Sequence, residues 1–252
     1  MRPRLSALVV AHNEAAQLAE CLDTLRFADE IVVVLDRTTD ASRSIAEGVG
    51  ATVIEGAWPI EGPRRMAGIE ACTGEWILEI DADERVPPAL AEEILAFLPT
   101  AARGYAIVPI ANHVGGRLIR YGWGAYNGVA AKPILFTKGT KLWGDQPVHP
   151  KIVLEGQRQT LTQPLTHYVD RDLADMIQRL NRYTSANASQ MQRSGEYGTL
   201  GGHVRRMATR FFKAYVQRKG YREGAVGLTL GLFAALYPIL SYLKAVAERD
   251  QR

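Results

Sequence analysis

The sequence contains few cysteines and no repeat or low-complexity tract. Its two cysteines, Cys21 and Cys72, are too few and too isolated for a disulfide framework or a zinc site, so a reducing cytoplasm is the expected compartment. The formal net charge is only +3, which argues against nucleic acid as the partner of the whole molecule. The apolar run near the N-terminus ends at His12 and is too short for a secretory signal.

Two common nucleotide-binding signatures are also missing. No Gly-x-Gly-x-x-Gly follows the first apolar run, and no Walker-type Gly-Lys-Ser/Thr occurs. Dinucleotide-dependent oxidoreductases and phosphate-loop NTPases are therefore disfavoured.

The first 100 residues instead alternate between short apolar runs and helical patterns. The strand-like runs, rich in β-branched and aliphatic residues, occupy residues 5–11, 30–35, 51–54 and 75–80. The helical patterns occupy residues 15–25, 41–49, 63–72 and 89–97. This alternation predicts an α/β fold with a mostly parallel central sheet flanked by helices. Residues 104–165 hold shorter runs broken by glycine and aromatic residues, which predict an irregular mixed half.

The strongest candidate for chemistry is Asp81-Ala82-Asp83, directly after the fourth strand-like run. Ligand sites in open α/β sheets lie at the carboxyl ends of strands, where these two carboxylates are expected. Such a pair is suited to share Mg²⁺ or Mn²⁺ with the oxygens of a diphosphate, whose departure the metal would assist. The alternative is a solvated turn in which Asp83 caps a helix.

A further carboxylate, Asp36, follows the second strand-like run. At that position a carboxylate can accept hydrogen bonds from the base or ribose of a nucleotide. Asp40 is expected chiefly to cap the helix that follows it, and Asn13 to cap the helix after the first strand.

Three segments resemble the family 2 glycosyltransferases with the GT-A fold: residues 9–14, 30–40 and 74–84. In that family, residues matching these segments hold the nucleotide, and the Asp-x-Asp motif holds the metal. Residues 62–65 resemble the stretch that carries a basic nucleotide contact, with Arg65 as the nearest match. The resemblance therefore implies metal ligands at Asp81 and Asp83. The nucleotide-binding residues that it implies are Ala11, Asn13, Glu14, Asp36, Arg65 and Asp81.

Later segments resemble the lipopolysaccharide-core β-glucosyltransferase branch of that family, namely residues 143–149, 165–168 and 180–184. That branch commonly has His-Glu where this chain has His149 and Pro150, and its glutamate is a candidate general base. An inverting transfer to a hydroxyl needs a carboxylate near the acceptor. Asp145 is the candidate here, and a plain turn residue after Gly144 is the alternative.

Two histidines accompany this region. His149 and His167 have three open interpretations: ligands of the metal, contacts to the diphosphate, or packing residues. His167 is retained as a candidate metal ligand beside Asp81 and Asp83.

The C-terminal part is basic and then apolar. Residues 205–222 hold seven basic residues and no acidic one, and residues 224–243 are uncharged. Basic residues suit anionic headgroups and the apolar segment suits the membrane interface, so we expect a helix or helical hairpin that lies on an anionic membrane. The alternatives are a spanning helix and a buried helix packed on the catalytic domain.

These observations predict a GT-A catalytic domain over residues 1–170, with a nucleotide-sugar half at 1–100 and an acceptor half at 101–170. A helical region at 171–252 follows. The expected function is inverting transfer of a hexose from a nucleotide-diphosphate sugar, with UDP favoured, to a lipid-linked or lipopolysaccharide-core glycan. The enzyme is expected on the cytoplasmic face of the inner membrane. Alternatives are transfer to polyprenyl phosphate and a non-catalytic scaffold that binds sugar nucleotides.

Overall fold

The computed structural model of the protein describes residues 2–123, 130–146 and 150–249. Within it the chain divides into two units. The first consists of Met1–Ile110 and Ala131–His167, and the second of Ala111–Ala130 and Tyr168–Arg252.

The first unit begins with four parallel strands separated by helices. The strands are Leu5–Ala11 (β1), Glu30–Asp36 (β2), Thr52–Gly56 (β3) and Trp76–Asp81 (β4). The helices are Ala15–Asp23 (α1), Ser42–Gly48 (α2) and Glu61–Ala71 (α3). The strands lie in the order β3-β2-β1-β4, and β1 pairs in parallel with both β2 and β4. The predicted alternation and parallel pairing are confirmed.

Beyond β4 the sheet becomes mixed. The next elements are Glu84–Arg85 (β5), the helix Pro88–Phe97 (α4), Gly104–Val114 (β6), Arg117–Leu118 (β7), Ala131–Thr137 (β8), Lys141–Trp143 (β9), Ile152–Leu154 (β10), Gln157–Thr160 (β11) and Leu165–Asp170 (β12). The sheet continues from β4 through β8, β6 and β12 to β5, whereas β9 and β10 form a separate antiparallel pair. This agrees with the irregular half predicted for residues 104–165.

Two apolar layers cover the opposite faces of the parallel strands, because successive side chains of a strand point to opposite sides. On one face, Val9 of β1 joins the layer that contains Leu18 of α1. On the other face, Leu8 and Val10 pack in the layer that contains Ile69 of α3. The whole of β1 is buried, which explains why its sequence is apolar apart from Ser6.

The expected helix cap at Asn13 is wrong. Asn13 adopts a left-handed backbone conformation with φ of 56°, and its Oδ1 accepts hydrogen bonds from the backbone N–H groups of Thr39 and Asp40. Asp40 instead serves both helices, because its carboxylate accepts from the N–H of Ala15 in α1 and of Ser42 in α2. A short polar side chain tolerates the left-handed region, so Asn13 stabilises the loop rather than the helix.

The second unit contains the helices Leu173–Ser194 (α5), Leu200–Phe211 (α6) and Gly224–Arg249 (α7). A π-helical turn at Phe212–Gln217 and a 3₁₀ turn at Gly220–Glu223 connect α6 to α7, and α7 packs along both α5 and α6. In the described part of the chain, the helical stretch Gly220–Ala247 is long and apolar enough to cross a membrane by length and composition. Only 39% of its most apolar window is buried.

Helix α3 makes its closest backbone approach to the segment after β9 at Gly62. A Cβ atom on Gly62 would lie 1.8 Å from the carbonyl oxygen of Gly144. Gly144 is itself fixed, because its N–H donates to the carbonyl oxygen of Lys151 at 2.8 Å. Glycine at position 62 therefore lets α3 hold the segment that leads into Asp145.

We expect Gly62→Ala to destabilise the protein by about 1–3 kcal/mol, because the added methyl group meets backbone that cannot rotate away. Gly48→Ala is the matched control, since a Cβ on this glycine of α2 meets nothing within 4 Å. It should leave stability unchanged or raise it by about 0.5 kcal/mol. Urea unfolding followed by circular dichroism measures both variants, and equal stability of the two would contradict the close approach.

Candidate active site

The carboxyl ends of β1, β2 and β4 meet at one edge of the sheet. Ala11, Asp36 and Asp81 are the last residues of these three strands, and Asp81 lies opposite Val10 in the register. Parallel pairing brings the strand ends together, so residues separated by 70 positions become neighbours. This edge holds most of the site residues predicted from the sequence.

Asp36 is buried, and both of its carboxylate oxygens accept hydrogen bonds. Its Oδ1 accepts from the backbone N–H of Trp58 at 3.0 Å, and its Oδ2 accepts from Arg64 at 3.0 Å. Arg37 adds hydrogen bonds to both oxygens, at 3.0 and 2.8 Å. Burial alone would raise the pKa of this carboxyl, but the hydrogen bonds from Arg37 and Trp58 outweigh burial and lower the pKa. Asp36 is therefore ionised and surrounded by donors.

The loop after β1 is tied to the end of β2. Nδ1 of His12 lies 2.6 Å from the backbone carbonyl oxygen of Asp36. Glu14 donates its backbone N–H to Oγ of Ser42 at 3.1 Å, and Ala11 is buried. Together with the Asn13 contacts, these bonds bring Ala11, Asn13 and Glu14 to the same strand edge as Asp36.

Arg65 of α3 is the centre of a cluster of carboxylates. Its guanidinium donates to Glu61 at 2.8 Å, to Glu79 at 2.7 Å and to Asp81 at 2.8 Å. It also lies 4.7 Å from the ring centroid of Trp143. Burial would lower the pKa of Arg65, but the charges of Asp81, Glu79 and Glu61 outweigh it and raise the pKa well above the usual value. Arg65 thus reaches the Asp-x-Asp motif, as an internal partner of Asp81.

A second cation, Lys132 of β8, binds the other oxygen of Asp81. Its Nζ lies 3.3 Å from Asp81 Oδ2 and 2.6 Å from Oε1 of the buried Glu84. Burial opposes ionisation of Asp81, but Arg65 and Lys132 lower its pKa, so it remains a carboxylate. Burial and the charge of Asp81 raise the pKa of Glu84 to about 7. Both oxygens of Asp81 are therefore paired with cations.

Asp83 and His167 form a separate contact beside this cluster. Oδ2 of Asp83 lies 3.3 Å from Nε2 of His167, and β12 carries His167 opposite Glu84 of β5. A carboxylate oxygen and an imidazole nitrogen are both ligands that Mn²⁺ accepts. In the described ranges 2–123, 130–146 and 150–249, no three His, Cys, Asp or Glu side chains are grouped to hold a metal ion. Asp83 and His167 thus provide two of the ligands that a metal ion would need, and the described residues place no third one beside them.

Asp145 lies at the exposed start of the segment after β9. Its Oδ1 accepts a hydrogen bond from the side chain of the neighbouring Gln146 at 3.3 Å. The close approach of Gly62 to Gly144 fixes the residue just before it. His149, the other histidine considered above, lies outside the described residues.

The charged residues that the sequence interpretation missed belong mainly to the buried network. Glu79 is 3% exposed and binds Lys141 at 2.6 Å as well as Arg65. The sequence could have indicated Glu79, because side chains of a strand point alternately to its two faces and residues 79 and 81 of β4 therefore share a face. No local pattern identifies Lys132 or Lys141, since each acquires its role from strand pairing. Arg64, rather than Arg65, is the arginine of α3 that contacts Asp36.

The family of the protein follows from this fold, this strand edge and one sequence comparison. Residues 6–149 match the family described as Glycosyl transferase family 2. The matched region is more than half of the chain and contains Asp36, Asp81 and Asp83. The chain belongs to this family, and it is a glycosyltransferase with a GT-A α/β fold, as the resemblance implied.

Full-length relatives agree with this assignment. The chain is 28% identical to the lipopolysaccharide core biosynthesis glycosyltransferase LpsC of Rhizobium meliloti, over 95% of this chain and 91% of LpsC. It is 25% identical to an uncharacterized glycosyltransferase of Rickettsia felis, over 96% of this chain and 89% of that protein. Among solved structures it is similar to S. aureus TarS, with 16% identity, a TM-score of 0.49, and coverage of 66% of this chain and 37% of TarS.

The Arg65 cluster leads to a prediction about the stability of the protein. We expect Glu79→Gln to cost about 3 kcal/mol, because Arg65 and Lys141 would lose the charge that compensates their burial. Glu61→Gln is the matched control, since Glu61 pairs with the same arginine but its side chain is 38% exposed, and should cost about 0–1 kcal/mol. Chemical denaturation of both variants measures the difference. Equal losses of stability in the two variants would show that the burial of Glu79 does not increase the contribution of its ion pairs to the free energy of unfolding.

Proposed function

We propose that the enzyme transfers a hexose with inversion from a nucleotide-diphosphate sugar, preferably a UDP-sugar, to a lipid-linked or lipopolysaccharide-core glycan. The observation that carries this proposal is the meeting of Asp36, Asp81 and Asp83 at the carboxyl edge of the parallel strands, inside the region that matches family 2. The full-length similarity to LpsC, named for lipopolysaccharide core biosynthesis, supports the acceptor class.

The nucleotide is proposed to lie across the ends of β1 and β2. Asp36 offers carboxylate oxygens to the base or ribose once Arg37 turns away, and the side chain of Arg37 is more than half exposed. Asn13, Glu14 and the backbone of Ala11 line the neighbouring loop. Arg65 acts on the nucleotide through Asp81, whose charge and orientation it fixes.

Asp83 and His167 are proposed to hold a divalent cation, Mn²⁺ or Mg²⁺, with Asp81 as a third ligand where Lys132 gives way. These residues would hold the cation, which when bound would supply Lewis-acid stabilisation of the diphosphate leaving group. Lys132 contributes positive charge to the same edge, because it is held between Asp81 and Glu84. The chain's own residues thereby orient the leaving group and balance its charge.

Inversion requires attack by the acceptor hydroxyl from the face opposite the leaving group, with a carboxylate that takes the proton. Asp145 is the proposed base. Its exposure leaves it accessible to an acceptor, and the fixed Gly144 before it limits where it can move. The second unit supports the proposed location at the cytoplasmic face of the inner membrane, since its basic segment 205–222 and its apolar helix α7 suit an anionic lipid surface.

The donor is tested by calorimetry with UDP, GDP, TDP and CMP, each with and without Mn²⁺. We expect metal-dependent binding of UDP to the wild type. Asp83→Ala should abolish the metal dependence, because it removes one proposed ligand of the cation. Asp23→Ala is the control, since Asp23 is an exposed aspartate of α1 that pairs only with Arg26 among the described residues.

Absence of binding to every nucleotide, in protein shown to be folded, would refute the donor proposal. Equal metal-dependent binding by wild type and Asp83→Ala would keep the donor but remove Asp83 from the metal site. His167→Ala then tests the other ligand in the same titration.

A separate prediction concerns the base. Asp145→Asn should lower the rate of sugar transfer to a hydroxyl acceptor by roughly 10²- to 10⁴-fold and leave nucleotide affinity unchanged. Gln146→Glu keeps the carboxylate at 145 and is expected to remain active. An unchanged rate in Asp145→Asn would argue against Asp145 as base. It would favour polyprenyl phosphate as acceptor, because an acceptor phosphate already carries its charge and needs no base.

A further inference from the structure

Two arginines of the second unit stack on one indole ring. The guanidinium carbons of Arg210 and Arg218 each lie 4.9 Å from the ring centroid of Trp123. Arg210 also lies 5.1 Å from the ring centroid of Tyr237 on α7. Both cations therefore contact one indole ring, and cation–π attraction stabilises each of them there.

The support under Trp123 is rigid. A Cβ atom on Gly122 would lie 2.9 Å from the Cα atom of Gly220, and the N–H of Gly122 donates to the carbonyl oxygen of Arg218 at 2.7 Å. Buried Glu223 fixes the same strand-to-loop segment, because its carboxylate accepts from Arg117 and from the backbone N–H of Tyr121. The backbone just before Trp123 is thus tied to the turn between α6 and α7.

Arg210 has no anionic partner among the described residues. Its Nε is buried and makes no hydrogen bond, and no carboxylate forms a salt bridge with it. Burial is the main cause that lowers the pKa of Arg210, and the neighbouring charge of Arg206 lowers it further. A half-buried guanidinium without a carboxylate is costly, since desolvation is not repaid by an ion pair. Such an arrangement suits a ligand that brings its own negative charge.

Exposed apolar side chains lie in the same segment of the chain as these cations. Phe212, Val216 and Tyr221 are each 45% or more exposed, and all three lie on the chain between Arg210 and Arg222. Exposed aromatic and aliphatic side chains beside arginines match the boundary between headgroups and acyl chains of a bilayer. A free soluble anion would not need them.

We propose that Arg210 and Arg218, stacked on Trp123, form a binding site for the phosphate group of a membrane lipid. This inference rests on the membrane location proposed above and assigns it to one site. Guanidinium groups donate paired hydrogen bonds to phosphate and to carboxylate oxygens, but a phosphate monoester has three terminal oxygens and can accept from two guanidinium groups, whereas a carboxylate has only two. The neighbouring Phe212, Val216 and Tyr221 enter the interface beside the headgroup.

The test uses the full chain in a vesicle co-sedimentation assay. One set of phosphatidylcholine vesicles contains phosphatidate, and a second set carries the same surface potential from oleate. Arg210→Met keeps the apolar stem and removes the guanidinium. Arg205→Met is the matched control, because Arg205 is an exposed arginine of the same helix and its loss changes the net charge equally.

We expect the wild type to prefer phosphatidate over oleate vesicles. Arg210→Met should lose that preference, with roughly a tenfold loss of affinity for phosphatidate vesicles. Arg205→Met should weaken binding to both vesicle types alike, by roughly fivefold at most. The urea midpoint of Arg210→Met should change little, because the loss of two ring contacts is offset by removal of a half-buried charge that has no carboxylate partner.

Equal effects of the two variants on both vesicle types would overturn the site in favour of general electrostatic attraction. A lowered urea midpoint with no change in lipid preference would make Arg210 a structural residue. Wild-type binding to inorganic phosphate, or to a duplex oligonucleotide, as tight as to the vesicles would overturn the lipid as the ligand.

Calorimetry with UDP on the same samples separates this inference from the function proposed above. Nucleotide binding without any phosphatidate preference would refute only the lipid site. A phosphatidate preference without nucleotide binding would refute only the donor proposal.

Discussion

The ion pairs of Arg65 are the contacts on which the proposed donor site depends. This arginine connects α3 to β4 through Glu79 and Asp81, and Trp143 of β9 covers its guanidinium. Charged groups taken out of water are stable only when each is compensated. The cluster meets that condition because positive and negative side chains alternate along it. Lys141 binds Glu79 at one end, and Lys132 binds Asp81 at the other. The site is therefore electrostatically organised before any donor binds.

The same arrangement explains why the Asp-x-Asp carboxylates differ from each other. Asp81 is part of the cluster and has a cation on each oxygen, whereas the side chain of Asp83 is about one third exposed and contacts His167. Two residues apart along the chain, one carboxylate is held by two cations and the other is partly exposed to solvent. In the function proposed above, Asp81 would orient the leaving group through its bound cations, and Asp83 would be available to the metal.

Much of the fold was predictable, because each strand of the first half is a short apolar run and each helix has its own apolar stripe. The position of Asp36, Asp81 and Asp83 at the carboxyl edge of the sheet was predictable for the same reason, since each comes at or just after the end of such a run. Lys132 and Lys141 were not, because their partners lie more than 45 residues away and no local pattern records strand pairing. Asn13 misled the interpretation for a local reason. Asparagine is a residue type that often caps helices. The left-handed backbone of Asn13, however, directs its side chain to the loop at Thr39.

Arg37 occupies the carboxylate oxygens of Asp36 that the proposed nucleotide would use. Its left-handed backbone, with φ of 50°, turns the guanidinium back onto the carboxylate of the residue before it. Any base or ribose that bonds to Asp36 in place of Arg37 must first shift that equilibrium, so its apparent affinity is the intrinsic affinity scaled by the fraction of open molecules. A weak ligand thus meets a closed carboxylate, whereas a donor that gains further contacts at the Asp-x-Asp edge can displace the arginine. The Arg37 torsion thus lowers the affinity of every ligand that bonds to Asp36 by the same factor, and a ligand with further contacts stays bound at concentrations where a weaker one does not.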